Sequence, residues 1–391
     1  MPMKRPSSRG GALRVMLWIV SILVILVVAG LALYDRLLRS KYEPAIAEIR
    51  KEAANYVGFF CEQQTQLSSD PWFHEPRTEG DAGPLLNTWV SWEADKGPPR
   101  DSPLVIPPAL PQKNTDFKDW LTSPVDVSTL DFEWMRKLHA YDRWDIARNT
   151  PKPLPERVNW STAPIPEYLP LMLWAKFRLL HGLRTGQPLE AARDVRQVAW
   201  LSYRTDTVLG GAIAKALLGY ERQAYDSLSA PPAEWRPMST EQLERMQAVI
   251  MSSLLFSNIA APAEVTRQAR SCGTPAVSRC IALAESAFML KYLQPIAEEK
   301  YRAVYTAHAG ELAASPCATS LPQMLWDRGI TLEEERLAKS PEHPEWLNTL
   351  PGAYAGSHIA GILISIGTPS IKALKELRAK HESGKTETPR Q

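Results

Sequence analysis

Val15 to Tyr34 reads VMLWIVSILVILVVAGLALY, twenty residues without a charge. A bilayer core about 30 Å thick is spanned by about 20 apolar residues rising 1.5 Å each. In lipid a backbone must satisfy its own polar groups, so such a run folds as a helix despite its β-branched Val and Ile. Thirteen of the residues are Leu, Ile or Val. At roughly −0.3 to −0.6 kcal/mol each, their insertion gains about 4 to 8 kcal/mol. Trp18 and Tyr34 stand near the two ends, where aromatic anchors collect. The lipid bilayer, met through residues 15–34, is the first partner this pattern implies.

Orientation rests on charge. Lys4, Arg5, Arg9 and Arg14 precede the run, and Arg36, Arg39, Lys41, Arg50 and Lys51 follow it. The basic count alone therefore does not orient the helix. Moving four cations outward against the potential costs about 2.3 kcal/mol each per 100 mV. A long C-terminal domain, by contrast, crosses largely regardless of its charge. The expectation is a single-pass signal-anchor in the inner (cytoplasmic) membrane. Residues 1–14 form a basic cytoplasmic tail, and the remainder is a periplasmic or otherwise extracytoplasmic domain. A cleaved signal peptide, with Val27 and Ala29 before the cut, is the rival. Five more uncharged residues follow Ala29, which favours the uncleaved anchor.

Beyond residue 14 charges nearly balance, since the chain holds 45 basic and 43 acidic side chains and the tail takes four of the basic ones. That speaks against a nucleic-acid partner, which needs clustered Lys and Arg. A hydrophobic content of 45% suffices for a core. Cys61, Cys272, Cys280 and Cys317 allow two disulfides in three pairings. Cys272 and Cys280 flank a Gly-Thr-Pro turn and could close that loop locally. No Cys-x-x-Cys or Cys/His zinc spacing occurs.

The pattern predicts an all-α fold: a juxtamembrane helix over 35–66, a Pro/Trp-rich irregular segment over 67–165, an irregular multi-helix bundle over 166–380, and a disordered tail over 381–391. Ala45, Ile49, Ala53, Tyr56 and Phe60 recur at three- and four-residue spacing. Pro44 reads as the first turn of this juxtamembrane helix, separating it from the anchor or kinking the two apart. A coiled-coil stalk is a sharper reading, but two heptads are too few. Residues 67–166 hold fifteen prolines and seven tryptophans: Trp72, Trp89, Trp92, Trp120, Trp134, Trp144 and Trp160. Disordered segments are poor in aromatics, so this segment is expected to dock on the helical body. An aromatic groove for a glycan or peptide ligand is the alternative use. A short helix is expected over Ser128–Arg148.

Further on, helices are expected over Pro166–Arg184, ended by Gly186, and from Pro188. A third runs from a cap at Thr205 or Asp206 to about Leu228, and a fourth from the capping box Ser239-Thr240-Glu241-Gln242. Later ones fall at Pro275–His308, Leu332–Lys339 and Pro369–Lys380, with Thr368 as the start of the last. Trp174–Tyr203, with its Gly-x-x-x-Glu-Ala-Ala turn, resembles a tetratricopeptide unit. Only one such unit is present, whereas a solenoid needs about three. Gly352–Thr368, uncharged but for His358, is a second apolar stretch with a Gly-x-x-x-Gly at Gly352 and Gly356. It is short and glycine-broken, so a buried helix is expected rather than a second span.

Catalytic signals are sparse. The histidines, His74, His139, His181, His308, His343, His358 and His381, show no metal-binding helical spacing. No nucleophile elbow or phosphate loop occurs. Gly210-Gly211 inside a helical pattern reads as a close helix contact. Asn159-Trp160-Ser161 is a formal glycosylation sequon. One string, Ala282-Leu283-Ala284-Glu285-Ser286-Ala287-Phe288, resembles the catalytic helix of lytic transglycosylases. That resemblance implies Glu285 as general acid/base on a cell-wall glycan, a role that needs a carboxyl with raised pKa. The family's following Gly-Leu-Met-Gln has no clear counterpart, Leu321-Pro322-Gln323-Met324 being a poor one. The sequence itself assigns no catalytic, cofactor-binding or metal residue, and no cofactor. Its reading is a non-catalytic scaffold or accessory subunit with protein partners in the cell envelope. The alternatives are a glycan hydrolase through Glu285 and a ligand-binding domain through the tryptophans.

Overall fold

The computed structural model describes residues 9–92, 97–146, 165–256, 263–272, 277–293, 310–312, 314–315, 317 and 355–386. Among them regular structure is helical, with no strand and one isolated bridge between Asp81 and Arg143. The expected helix over Leu332–Lys339, the sequon at Asn159, and Leu321–Met324 lie outside the described residues.

Helix α1 runs without a break from Arg9 to Ser68, 60 residues and about 90 Å. The expected separation at Pro44 does not occur: Pro44 lies inside the helix. Proline removes one intrahelical hydrogen bond and crowds the carbonyl four residues back. Position 44 is exposed, so that carbonyl can turn to solvent, and long runs of helix on either side carry the axis through. Side chains of α1 are described from Trp18 onward, apart from those of Asp35, Leu38 and Arg39. Among the described residues no helix is long and apolar enough to cross a membrane. The apolar side chains that are described nonetheless stand open: Trp18 is 70% exposed, Ile25 65% and Leu37 58%. Farther along, Ile49, Ala53, Val57, Phe60 and Leu67 are buried on the body.

The body is built on α4 (Leu169–Thr185), α5 (Pro188–Tyr203), α6 (Val208–Asp226) and α7 (Thr240–Ser252). Each packs on the next. Leu171, Phe177, Val195, Ala199, Leu217 and Met246 meet in the core. The local signals set the boundaries. Gly186 takes the left-handed conformation after α4, φ 71°, and its N–H bonds the Gly182 carbonyl. Pro188 opens α5, as expected. The cap of α6 is Thr207, whose hydroxyl accepts from the Gly210 N–H, rather than Thr205 or Asp206. Ser239 caps α7 by accepting from the Gln242 N–H. The Gln242 side chain does not close the box; it donates to the Gln66 carbonyl and accepts from Arg245. The short α8 (Ala263–Ser271) packs on α1, and α9 spans Arg279–Leu293.

Residues 69–146 wrap this body with little helix: α2 (Gly83–Trp89), α3 (Glu133–Lys137) and single 3-10 turns. The longer helix expected over Ser128–Arg148 shrinks to α3 and the turn after it. Trp72, Trp120 and Trp144 are almost fully buried. The polar edges of the last two are hydrogen-bonded. The Trp120 Nε1–H donates to Gln223 on α6, and that of Trp144 to Asn87. Trp174 and Trp200 on the body donate back to the Leu104 and Asp142 carbonyls. Such a ring carries its apolar area to the core while one donor fixes its position.

The last helix, α10, spans Ala355–Thr386 with Pro369 inside it. It joins what the sequence divides into an apolar stretch over 352–368 and a helix from Pro369. It also carries residues 381–386, expected as disordered tail. The Arg378–Glu382 pair at i,i+4 supports that end. α10 packs on α1 and α7.

Candidate functional site

The start of α6 gathers the most unusual chemistry among the described residues. Thr207 caps the helix, and the next N–H, that of Val208, is taken by the Oε1 of Glu285 on α9 at 2.8 Å. A carboxylate there meets both an open N–H and the positive end of the helix. Glu285 keeps part of its surface open, yet burial pushes its carboxyl up to about 7, against a smaller downward pull from the Val208 N–H. Tyr168 lies beneath: its hydroxyl donates to Thr205 Oγ1 at 3.5 Å, which lies 3.0 Å from Thr207 Oγ1. Burial holds Tyr168 up at about 12, so it stays a neutral phenol. Ser286, fully buried, has no partner for its hydroxyl.

Asp206, in the bend before the cap, takes φ 55°, a left-handed conformation that favours glycine and is tolerated by Asp. A carboxylate oxygen of Asp206 and the sulfurs of Cys280 and Cys317 lie within 4.8 Å of one another. Those sulfurs are joined to each other as a disulfide, which removes their lone thiolates as metal ligands. The second disulfide joins Cys61 on α1 to Cys272 just past α8, Cα atoms 5.0 Å apart. Local closure between Cys272 and Cys280 therefore does not form; each cysteine instead ties its own helix end to a distant part of the chain.

The remaining sequence candidates take structural places. Gly210 and Gly211 permit close contact, as expected: a Cβ on Gly210 would come within 2.3 Å of the Ser202 carbonyl, and one on Gly211 within 2.9 Å of Ile250. His139 Nε2 lies 3.0 Å from Asp194, which also holds the buried Arg178 at 2.7 Å. His74 bonds the Ser68 carbonyl. His181, tilted over Phe132, has a buried Nδ1 without a partner. His308 and His343 lie outside the described residues, as does the side chain of His358. The tryptophans Trp72, Trp120, Trp134 and Trp144 pack into the core instead of lining an open groove.

Several functional-looking groups carry no sequence signal. Lys176 is buried with its Nζ on the Phe117 carbonyl at 2.8 Å and above the Tyr220 ring at 4.7 Å. Burial lowers its ammonium to about 8. Arg196 bridges Glu75 and the fully buried Glu221, which also accepts from Trp235. A pocket of about 450 Å³, part of it open to solvent, is lined by residues including Phe60, Gln64, Phe256, Arg270 and Leu283. Glu285 does not line it.

The chain matches no protein-family model, no curated protein and no solved structure.

Proposed function

We propose that the chain is a membrane-anchored, extracytoplasmic helical protein without catalysis of its own, serving as a scaffold or accessory subunit of an envelope complex. The observation that carries this reading is the first part of α1. Trp18, Ile19, Leu23, Val24, Ile25, Val27 and Leu33 all keep more than half their surface open, and together they lie round every side of one continuous helix. A soluble chain rarely leaves so large an apolar surface uncovered. Lipid covers all sides of a rod, and the sequence completes the run to twenty residues. Two disulfides support the side of the membrane, since such bonds persist in oxidising compartments and are rare in the cytosol.

The test combines extraction and thiol chemistry in the native host. The full chain should stay with membranes through an alkaline carbonate wash. All four cysteines should resist a membrane-permeant maleimide until a reductant is added. A chain that washes off, or that alkylates fully without reductant, ends this reading. Cross-linking in intact cells followed by purification should then bring down envelope proteins in fixed proportion; recovery of the chain alone would count against an accessory role.

The second reading, a cell-wall glycan hydrolase using Glu285, is favoured by one observation: a carboxyl raised to about 7 is poised to give a proton near neutral pH. Against it, that carboxylate is already bound to the start of α6. Release of glycan fragments by the purified chain, lost in Glu285→Gln, would establish the enzyme and displace the scaffold.

A further inference from the structure

We infer that α10 is a second leg beside α1, and that its N-terminal end rests on the lipid headgroup layer. The inference builds on the anchor reading above and adds a contact that the anchor alone does not require.

The pairing of the two helices gives direction and register. Gly367 on α10 lies against Ile49 of α1, so closely that a Cβ there would come within 2.6 Å of the Ile49 side chain. Farther along, Lys375 pairs with Glu52 at 2.9 Å, and the Arg378 guanidinium sits 5.7 Å from the Tyr56 ring centroid. Numbers rise together on both helices, so α10 runs parallel to α1, and the backbone contact of Gly367 on Ile49 sets the register more closely than the long Lys375 and Arg378 side chains. Lys380 on Glu244 and Ser370 on the Met251 carbonyl fix the far end to α7.

That register extends toward the apolar run. α10 begins at Ala355, twelve residues before Gly367, which is about 18 Å at 1.5 Å per residue. The same distance back along α1 from Ile49 reaches Leu37. Among the described residues the large open apolar side chains of α1 end there. The first turn of α10 therefore lies level with the edge of the apolar run. Between these levels Tyr42, Ala45 and Ile46 of α1 are half-covered while Glu43, Pro44, Ala47 and Glu48 are exposed. One side of α1 is thus shielded over this stretch, on the stripe that continues to Ile49.

The occupant follows from composition. From Ala355 to Thr368 no Asp, Glu, Lys or Arg occurs, and seven of the fourteen residues are Ile, Leu or Ala before the first charged side chain at Lys372. An uncharged helix end at the height where acyl chains give way to headgroups meets an interface suited to it. The flanking basic residues Arg36, Arg39 and Lys41 on α1 sit at the same height, where phosphate groups are found. The body then stands about 18 Å above the bilayer surface on two parallel helices, which fixes its height and its rotation about α1.

The test uses the full-length protein in phospholipid vesicles. With the four native cysteines paired, Ser357→Cys near the start of α10 and Ser383→Cys near its end can each carry an environment-sensitive fluorophore. Vesicles hold a nitroxide quencher on the headgroup. The label at 357 should lose at least half its emission, and the label at 383, about 39 Å farther along the helix, should lose almost none. Equal, weak quenching at both sites in carbonate-resistant protein overturns the second leg and leaves the anchor standing. Protein that washes off the vesicles overturns both. Energy transfer between 357 labels on separate chains, without headgroup quenching, would assign this end to a second copy and overturn the lipid contact.

Discussion

The two parts of α1 carry similar side chains into opposite surroundings. Between Trp18 and Leu37 every described Ile, Leu and Val but the half-covered Leu31 stands open. From Ile49 onward the same residue types are buried under α7, α8 and α10. The helix is continuous through both, so backbone geometry does not separate them. What separates them is the arrangement of polar residues. The second part alternates apolar positions with Glu48, Arg50, Lys51 and Glu62, giving one apolar stripe that a bundle can cover. The first part, among its described side chains, is apolar all round and offers no single stripe for a bundle to cover; on the proposed reading, lipid covers it.

The largest effect should come from charging each part in turn. Leu23→Arg together with Leu26→Arg places two cations at the centre of the run, each costing about 2.5 to 3.5 kcal/mol of insertion. The carbonate-resistant fraction should collapse, while the unfolding midpoint of the body stays unchanged. Ala53→Arg, at a position with no exposed surface, should do the reverse and unfold the body while membrane retention persists. If both variants gave the same phenotype, the two parts of α1 would share one environment.

The wrapping segment offers the next contrast. Trp72→Ala removes a fully buried ring packed edge-on to Trp200 and Tyr203, and should destabilise the body by about 3 to 5 kcal/mol in urea titration. Phe replacements sharpen this. The Trp72 Nε1–H has no partner, so Trp72→Phe loses no hydrogen bond. Trp144→Phe leaves the buried Asn87 amide short of a donor at 2.8 Å, and should cost about 1 to 3 kcal/mol more. Reducing the Cys61–Cys272 bond, which ties α1 to the body, should cost about 2 to 4 kcal/mol. Membrane retention should be indifferent to all four.

Local signals in the chain made much of this legible. Gly186, Pro188 and Ser239 mark helix ends by backbone conformation and capping, which act within a few residues. Trp72, Trp120, Trp134 and Trp144 announced that the described part of this segment would pack, since apolar area of that size seeks cover wherever its chain leads. What stayed hidden depends on partners distant in sequence. Nothing near Pro44 or Pro369 says that a long packed helix will absorb the lost hydrogen bond. Nothing near Cys272 says that its partner lies 211 residues away on α1. At Glu285 the family-like string drew attention to a real peculiarity, but its cause is burial, at a contact with Val208 77 residues earlier.

Glu285 also provides the smallest and most selective prediction. Its carboxyl is raised from 4.5 to about 7 in the folded chain. Between those values the folded protein holds a proton that the unfolded chain has released, so stability falls as pH rises from about 4.5 to about 7 and levels off above. The slope from this residue should total about 1 to 3 kcal/mol once its partial exposure is allowed for. Glu285→Gln keeps an oxygen for the Val208 N–H and cannot ionise. Its unfolding midpoint in urea should match that of the unaltered chain at pH 4 and exceed it at pH 8. If the two remained parallel across that range, the carboxylate would be ionised throughout, held by the helix end, and the proton-donor reading would lose its one support. If the difference appeared as stated while glycan stayed intact, the proton would belong to folding alone.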